Sequence, residues 1–515
     1  TYDVVFNNTL WEEYEAADKA YWINNDLCSF GGGIRNITKF VISANDESPK
    51  HGTICLVKRE GNQINRTISS AKVHAENIIQ EREDKGPEFV SSVWAISVES
   101  RKGHCGNPLW ATDQNHKQPK LCGIVVGAPK DSKADPLAFC TKITKQEVEA
   151  LIVKYNLDVY NTDNLPIKSM QTGCFEDFVV SSVTPDKHSM NTNNPAKPTV
   201  FNGCVGEDKF HPTMLTDWVR DKDGEVLRPE MMTRKKYATN CPAVNPQLMN
   251  MAVNMTTYHI GEVAPINFKP FVLTADQALN GAMGESPISS SSSPGMRYIL
   301  QGLSKKDIVK RNDKAELVFP EPHGPKFLED IEVTSSDLMS KKIPMVYVND
   351  FPKAEVLERA KVEIGKVRKV DGVDANHVVA DKRIWAFLSL FLKECGIMSG
   401  AIVNMDPRSA SADSLARLLK IWDRVLPGDF SKYDTTFFRY VWQAALKVVF
   451  NLFPELEEDH KTSLKTSIET MQYLNFCAHY TDNNDLEADH FPRNLVVYER
   501  THCMISGSYL TLMFN

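Results

Sequence analysis

Two short stretches hold residue types at spacings that chemistry can use. In Gly428-Asp429-Phe430-Ser431-Lys432-Tyr433-Asp434, two carboxylates stand five positions apart, where Val425-Leu426 gives way through Pro427-Gly428 to a helical pattern beginning near Thr435. A strand ending there carries Asp429 at its tip and leaves Asp434 near the first turn of the next helix. A carboxylate at a strand's end suits a hard divalent cation, because Mg2+ takes one or two protein carboxylates and completes its shell with phosphate and water. The second carboxylate is then left for a sugar hydroxyl. In Gly103-His104-Cys105-Gly106 a thiol lies between glycines, so the backbone can turn sharply and aim the N–H groups at Gly103 and Cys105 toward a developing oxyanion. Alone, the acidic pair is as well explained by solvation or helix capping, and the cysteine by structure.

The elements that must position these residues follow from pattern and composition. The 515 residues are 42% hydrophobic and 24% charged, a globular composition long enough for about three domains. Eleven cysteines without short paired spacings suggest neither a disulfide framework nor a zinc ribbon. The apolar run Ile384–Leu392 is short for a membrane span and predicts a buried helix. The net charge of −7 excludes a uniformly basic coat but not a local positive channel. Runs such as Val4-Val5-Phe6, Phe40-Val41-Ile42, Thr53–Val57 and Val93–Val98, separated by turn residues, predict an all-β region over residues 1–155. Residues 156–190 are rich in Asn, Thr, Asp, Ser and Pro and predict a linker or processing region, with Met170-Gln171-Thr172-Gly173 as a candidate cleavage site. Farther on, Leu415, Leu418, Leu419 and Trp422 recur at helical spacing, as do Phe437, Phe438, Val441, Trp442, Ala445, Val448 and Val449. These stripes predict core helices flanking Asp429 and Asp434. Lys353, Arg359, Lys361, Lys366 and Arg368 gather cations on a stretch broken by Gly365, and two or three of them would neutralise a triphosphate; a solvated face explains such a run equally well.

The company these motifs keep is specific. Gly428–Asp434 resembles the first palm motif of the RNA-dependent RNA polymerases of picorna-like viruses, and Ser506-Gly507-Ser508-Tyr509-Leu510-Thr511, ending Phe514-Asn515, resembles the second. Lys361–Arg368, ending Gly-Lys-Val-Arg, resembles the basic fingers motif, although Ala354 and Leu357 depart from its usual beginning. Ser292–Tyr298, followed by Lys305-Lys306-Asp307, resembles the fingers loop that grips the template, and Asn194–Val200 a short segment near the polymerase amino terminus. Gly103–Leu109 with Leu121–Ala128 resembles the chymotrypsin-like cysteine protease of the same viruses.

The resemblance implies roles by position. Asp429 would hold Mg2+ (or Mn2+), and Asp434, Ser506, Gly507, Thr511 and Asn515 would recognise the ribose. Lys353, Lys366 and Arg368 would bear the triphosphate, and Ser293, Pro294 and Gly295 would contact the template. In the protease Cys105 would be the nucleophile, Gly103 and Cys105 the oxyanion hole, and Asp26 the acid, with Glu12, Glu13 and Glu15 as alternatives. Val125 would line the specificity pocket where many relatives place a histidine, which implies a P1 residue other than simple Gln, since an unpaired buried amide costs roughly 1–3 kcal/mol. The family's base precedes its acid, whereas the first histidine here is His51; His51, His74 and His104 are expected to be surface or structural.

The expected fold is therefore multidomain: an all-β chymotrypsin-like barrel portion over 1–155, incomplete at its N-terminus, a linker over 156–190, and an α+β right-hand polymerase over 191–515, with fingers and part of the palm. The chain is expected to be a viral polyprotein fragment, inactive by itself for want of the protease histidine and the polymerase Gly-Asp-Asp motif. The implied partners are RNA template and primer, nucleoside triphosphates, the viral polyprotein as protease substrate and the rest of that polyprotein, in host-cell cytoplasm. A non-catalytic RNA-binding module is the alternative, and a cellular hydrolase a more distant one.

Overall fold

The computed structural model describes residues 34–35, 41–46, 48–60, 63–82, 86–98, 108–111, 120–127, 138–154, 159–161, 179–185, 209–213, 219–220, 226–227, 233, 245–290, 292–313, 316–400, 408–421, 424, 437–480, 494–500 and 504–511. The chain divides into two compact units, Thr1–Asn161 and Thr162–Asn515.

The first unit is built on β1 (His51–Glu60), β2 (Gln63–Arg82), β3 (Gly86–Ile96), β4 (Pro108–Ala111), β5 (Lys120–Gly127) and β6 (Ala138–Lys142), closed into a barrel in the order β1-β2-β3-β6-β5-β4. Closure leaves no open edge in this ring. Alternation sends Ile54, Val73, Trp94, Ile96, Leu109, Cys122 and Cys140 inward to one core. Gly123 is required by close approach, because a Cβ there would lie 2.9 Å from the Thr141 carbonyl. The expected strands at Thr53–Val57 and Val93–Val98 fall in β1 and β3, the latter ending at Ile96, while Val41 makes only an isolated bridge to Leu121. Val4–Phe6 lie outside the described residues.

The second unit centres on a five-stranded sheet. Its strands are β7 (Val179–Pro185), β9 (Tyr347–Pro352), β11 (Lys369–Val373), β12 (Asn475–Tyr480) and β13 (Asn494–Glu499), ordered β11-β9-β12-β13-β7. A small ribbon pairs β8 (Phe210–Pro212) with β10 (Val356–Glu358). β7 lies inside the stretch whose composition suggests a linker; its run Val-Val-Ser-Ser-Val-Thr has strand-forming residues, and it pairs antiparallel with β13.

The helices that matter are α1 (Ala375–Cys395), α2 (Ala410–Leu419), α3 (Arg439–Leu452) and α4 (Glu458–Thr470). α1 contains the apolar run Ile384–Leu392 and is buried along most of its length, with Trp385, Phe387 and Phe391 almost fully enclosed. Phe391 and Phe387 both meet Phe453 edge-on, at centroid distances of 4.8 and 5.3 Å, a geometry that adds to area burial. α1 and α4 are also joined by a buried polar seam: Trp385 Nε1 donates to Ser467 Oγ at 3.0 Å, and Ser467 Oγ to Asp381 at 2.7 Å.

Two details differ from the sequence pattern. α2 ends at Leu419, with Leu415 and Leu418 half-buried and Leu419 exposed, so its stripe is a covering face rather than core; Trp422 lies outside the described residues. α3 begins at Arg439, after a Phe438 cap, and packs Trp442, Leu446 and Val449 inward. No helix among the described residues is long and apolar enough to cross a membrane.

Candidate functional site

After β13 the chain enters a tight turn over 504–511. Met504, Ile505 and Leu510 are buried and pin its ends, while Ser506 and Gly507 are exposed at its tip. Ser508 N donates to the Ile505 carbonyl at 3.0 Å, Thr511 N to the Ser508 carbonyl at 3.2 Å, and Leu510 N to Ser508 Oγ at 3.2 Å. The Thr511 hydroxyl donates to the Ile505 carbonyl, so it braces the turn and has only lone pairs left to offer a ligand. Ser506 Oγ accepts from the Asp371 N–H of β11 at 3.0 Å and keeps its own proton for donation. Gly507 lies so close to β11 that a Cβ would fall 2.0 Å from the Asp371 carbonyl oxygen. Only glycine lets the turn seat there.

The basic stretch forms a hairpin-like arm between β9 and β11. Lys353 N donates to the Arg368 carbonyl at 2.7 Å, closing its base. Thr213, just past β8, braces the arm through its N–H to the Glu355 carbonyl and its hydroxyl to the Lys353 carbonyl. Gly365 ends the short helix Arg359–Glu363 at φ 68°, a conformation costly for other residues. Arg368, 64% exposed, grips the Glu355 carboxylate through Nε at 2.9 and 3.0 Å and also through Nη2, and Lys353 lies 3.7 Å from the same group. This Arg368 hydrogen bond holds the Glu355 carboxyl below its ordinary range. Arg359 pairs with Glu363 and Lys361 with Glu358. Lys366 is exposed, its N–H donating to the Lys361 carbonyl at 2.9 Å. The arm thus carries its cations with glutamates beside them.

The Ser293–Gly295 loop is clamped to the start of α1. Ala375 N donates to the Pro294 carbonyl at 3.0 Å, and the Asp374 carboxylate accepts from Arg297 N at 2.9 Å and from Tyr347 N at 2.8 Å. Gly295 has φ 99°, and a Cβ on it would lie 2.3 Å from Asp374 Cα. Ser292 and Ser293 remain exposed while Pro294 and Gly295 are buried, which presents hydroxyls from a fixed base. Burial pushes the Asp374 carboxyl up to about 6, with the two amide bonds pulling the other way. Of the lysines expected to add charge, Lys306 is exposed, but Lys305 turns inward at 7% exposure and its pKa falls to about 8 through desolvation.

Sequence reasoning missed a buried ionic cluster beneath the turn. Asp350, Asp371, Lys369 and Arg500 come together inside the sheet, with Tyr498 donating to Asp350. The available signal was charge inside strand-like segments, in Val-Asn-Asp-Phe, Lys-Val-Asp-Gly and Tyr-Glu-Arg.

The remaining expected residues divide cleanly. Val125 is described: it sits in β5 at 1% exposure, within the barrel core and in register with Cys140. Desolvation raises the Cys140 thiol far above its ordinary range, which makes it inert. His51 is exposed at the start of β1. Asp26, Gly103, Cys105, Asp429, Asp434 and Asn515 lie outside the described residues. Among the described residues no group of three or more His, Cys, Asp or Glu is arranged to hold a metal.

Comparison with known proteins gives this arrangement a family. The family model for viral RNA-dependent RNA polymerase matches residues 202–515. The chain therefore belongs to the viral RNA-dependent RNA polymerases. Within that class its relatives are genome polyproteins of picornavirus type. It is 23% identical over 436 residues to the genome polyprotein of avian encephalomyelitis virus (Calnek vaccine strain), covering 83% of this chain and 18% of that one. It is 27% identical over 273 residues to that of human enterovirus 70 (strain J670/71), covering 52% and 11%. The chain thus spans less than a fifth of the length of these relatives. A solved structure, the Sicinivirus 3Dpol RNA dependent RNA polymerase, is similar with a TM-score of 0.48 and 15% identity, over 66% of this chain and 63% of that one.

Proposed function

We propose that the chain is part of a polymerase that, in the whole polyprotein, extends an RNA primer on an RNA template, joining ribonucleotides, and that a cysteine endopeptidase precedes it in the same polyprotein. One observation carries the polymerase reading: the Ser506–Gly507 turn seats on β11, the strand that begins one residue after Arg368. A hydroxyl suited to a sugar and a guanidinium suited to a triphosphate, 138 positions apart (506 − 368), are thereby anchored to one strand. In this reading Ser506 donates to the ribose with Asp434, Gly507, Thr511 and Asn515 around it. Lys353, Lys366 and Arg368 receive the triphosphate, which replaces the Glu355 carboxylate as the partner of Arg368. Ser293, Pro294 and Gly295 guide the template.

Asp429 and Asp434 offer hard carboxylate oxygens, a donor set that fits Mg2+ or Mn2+; Asp429 would hold the ion. When bound, such ions stabilise charge on the attacking and leaving oxygens. For the protease, Cys105 attacks a peptide carbonyl, the N–H groups of Gly103 and Cys105 receive the oxyanion, Asp26 orients the base, and Val125 shapes a pocket that does not favour Gln. The closed barrel around β5 supports this assignment. So does the length of the first alignment, whose 436 residues exceed the 314 of the polymerase match (515 − 202 + 1) and so extend upstream of it. RNA, nucleoside triphosphates and the viral polyprotein are the partners, and host cytoplasm the setting. Primer extension on an oligonucleotide template by the whole polymerase of the polyprotein tests the polymerase reading: incorporation abolished by Asp429→Ala with RNA binding retained supports it. RNA binding without incorporation by that unaltered whole polymerase would point to a binding module instead.

A further inference from the structure

Asp350 and Asp371 are registered partners on β9 and β11, at 1% and 2% exposure. Like charges placed opposite each other across a sheet repel, and burial sharpens the conflict. Arg500, whose side chain is fully enclosed, resolves it: its Nη2 lies 2.8 Å from Asp350 and 3.3 Å from Asp371. Its guanidinium also lies 3.8 Å over the Phe476 ring, and its Nη2 is 2.9 Å from Tyr498 Oη. Lys369 supplies the second cation, 3.1 Å from Asp371 and 3.6 Å from Asp350.

The cluster's reach comes from where its members sit in the chain. Arg500 leaves β13 four residues before Met504, where the described turn begins. Asp371, which Arg500 grips by its carboxylate, gives its backbone N–H to Ser506 Oγ and its carbonyl to the close approach of Gly507. Lys369 and Asp371 share one face of β11, and Lys369 adjoins Arg368. We propose that Arg500 is a positioning residue for sugar selection: by locking β13 to β11 it fixes the Ser506 hydroxyl relative to Arg368, so that a nucleotide held by its triphosphate is read for a ribose hydroxyl. This rests on the polymerase reading above.

Two measurements on the full chain test it, each with Arg500→Met and Arg500→Lys. In amide hydrogen exchange, Arg500→Met speeds exchange of 369–373 and 504–511 about tenfold or more, with α1 and α3 unchanged, because the opening is local. In displacement of a fluorescent ribonucleotide with Mg2+ present, the unaltered chain prefers ATP over 2′-deoxy-ATP by about tenfold, the worth of one hydrogen bond. Arg500→Met loses that preference while inorganic tripolyphosphate competes as before, and Arg500→Lys restores part of it. Unchanged exchange at 504–511, or a sugar preference that survives Arg500→Met, overturns the proposal. Should Arg500→Met not fold, Arg500→Lys decides by the same two readouts, since one ammonium cannot copy the planar fork. An unaltered chain that binds neither nucleotide sinks the polymerase reading alone, and the exchange result still decides whether Arg500 holds the turn.

Discussion

Glu355 and Asp374 both brace the proposed nucleotide and template contacts, and they make opposite demands on pH. Glu355 is held below the ordinary carboxylate range by Arg368. Its contribution is therefore present above the unfolded value of 4.5 and is lost as pH falls through its depressed pKa. Because Arg368 is 64% exposed, that contribution is at most about 1 kcal/mol. Urea midpoints between pH 3 and 6 should fall more on acidification in the unaltered protein than in Glu355→Gln, and parallel curves would dismiss the pair as a stabilising one. Asp374 moves from 3.8 to about 6 on folding, so between those values the folded protein keeps a proton that the unfolded chain has released. Its stability is highest at the acid end and declines as pH rises through about 6, by about 3 kcal/mol for a shift of roughly two units. Asp374→Asn should flatten that decline, read as a smaller fall of the urea midpoint from pH 4 to 6.5 than the unaltered protein shows; an unaltered slope would assign it elsewhere. Neither carboxylate stands out in the sequence, where Glu355 lies among lysines and arginines. Their roles depend on the strands that approach them.

At the scale of elements, the strand β11 joins three functions in five residues: it follows Arg368, lines the ionic cluster and receives the Ser506 turn. The resemblance carried by Ser-Gly followed by Thr singles out residues of the turn, and that carried by Gly-Lys-Val-Arg residues of the arm. Their convergence was not, since local pattern carries no information about pairings 138 positions apart. The ionic cluster was hidden for a different reason: charged side chains are ordinarily exposed, so Asp350, Lys369, Asp371 and Arg500 pass for surface. The close seating of Gly507 gives a direct check. A Cβ would meet the Asp371 carbonyl, a backbone atom that cannot swing aside, so Gly507→Ala should cost about 1–3 kcal/mol and weaken ribonucleotide binding. Equal stability and binding in the variant would mean that the turn does not seat on β11 in solution.

Over the whole molecule, the all-β region was foreseeable from its short strand-like runs, the α+β region from the resemblance to the polymerases, and the buried helix α1 from its apolar run. The extent of the second unit was not. Asn, Thr and Pro around 156–190 suggest a linker, yet Val179–Pro185 is the edge strand of the central sheet, paired with β13. A polymerase fragment beginning at residue 191 lacks that strand and leaves the backbone of β13 unpaired along one side, a template for aggregation. Beginning at 162 instead should raise the thermal midpoint by several degrees, about what 1 kcal/mol brings, and lower the aggregated fraction in light scattering. Equal behaviour would make β7 dispensable. The ionic cluster also bears on how such a sheet can change over generations. Among the described residues its two acids and two bases balance, so a single replacement by an uncharged residue leaves a buried charge without its counterpart, at a cost of several kcal/mol. Drift through this part of the replicase should then proceed by compensated pairs, and lineages that diverged before the set arose should carry uncharged residues at all four places rather than a partial set.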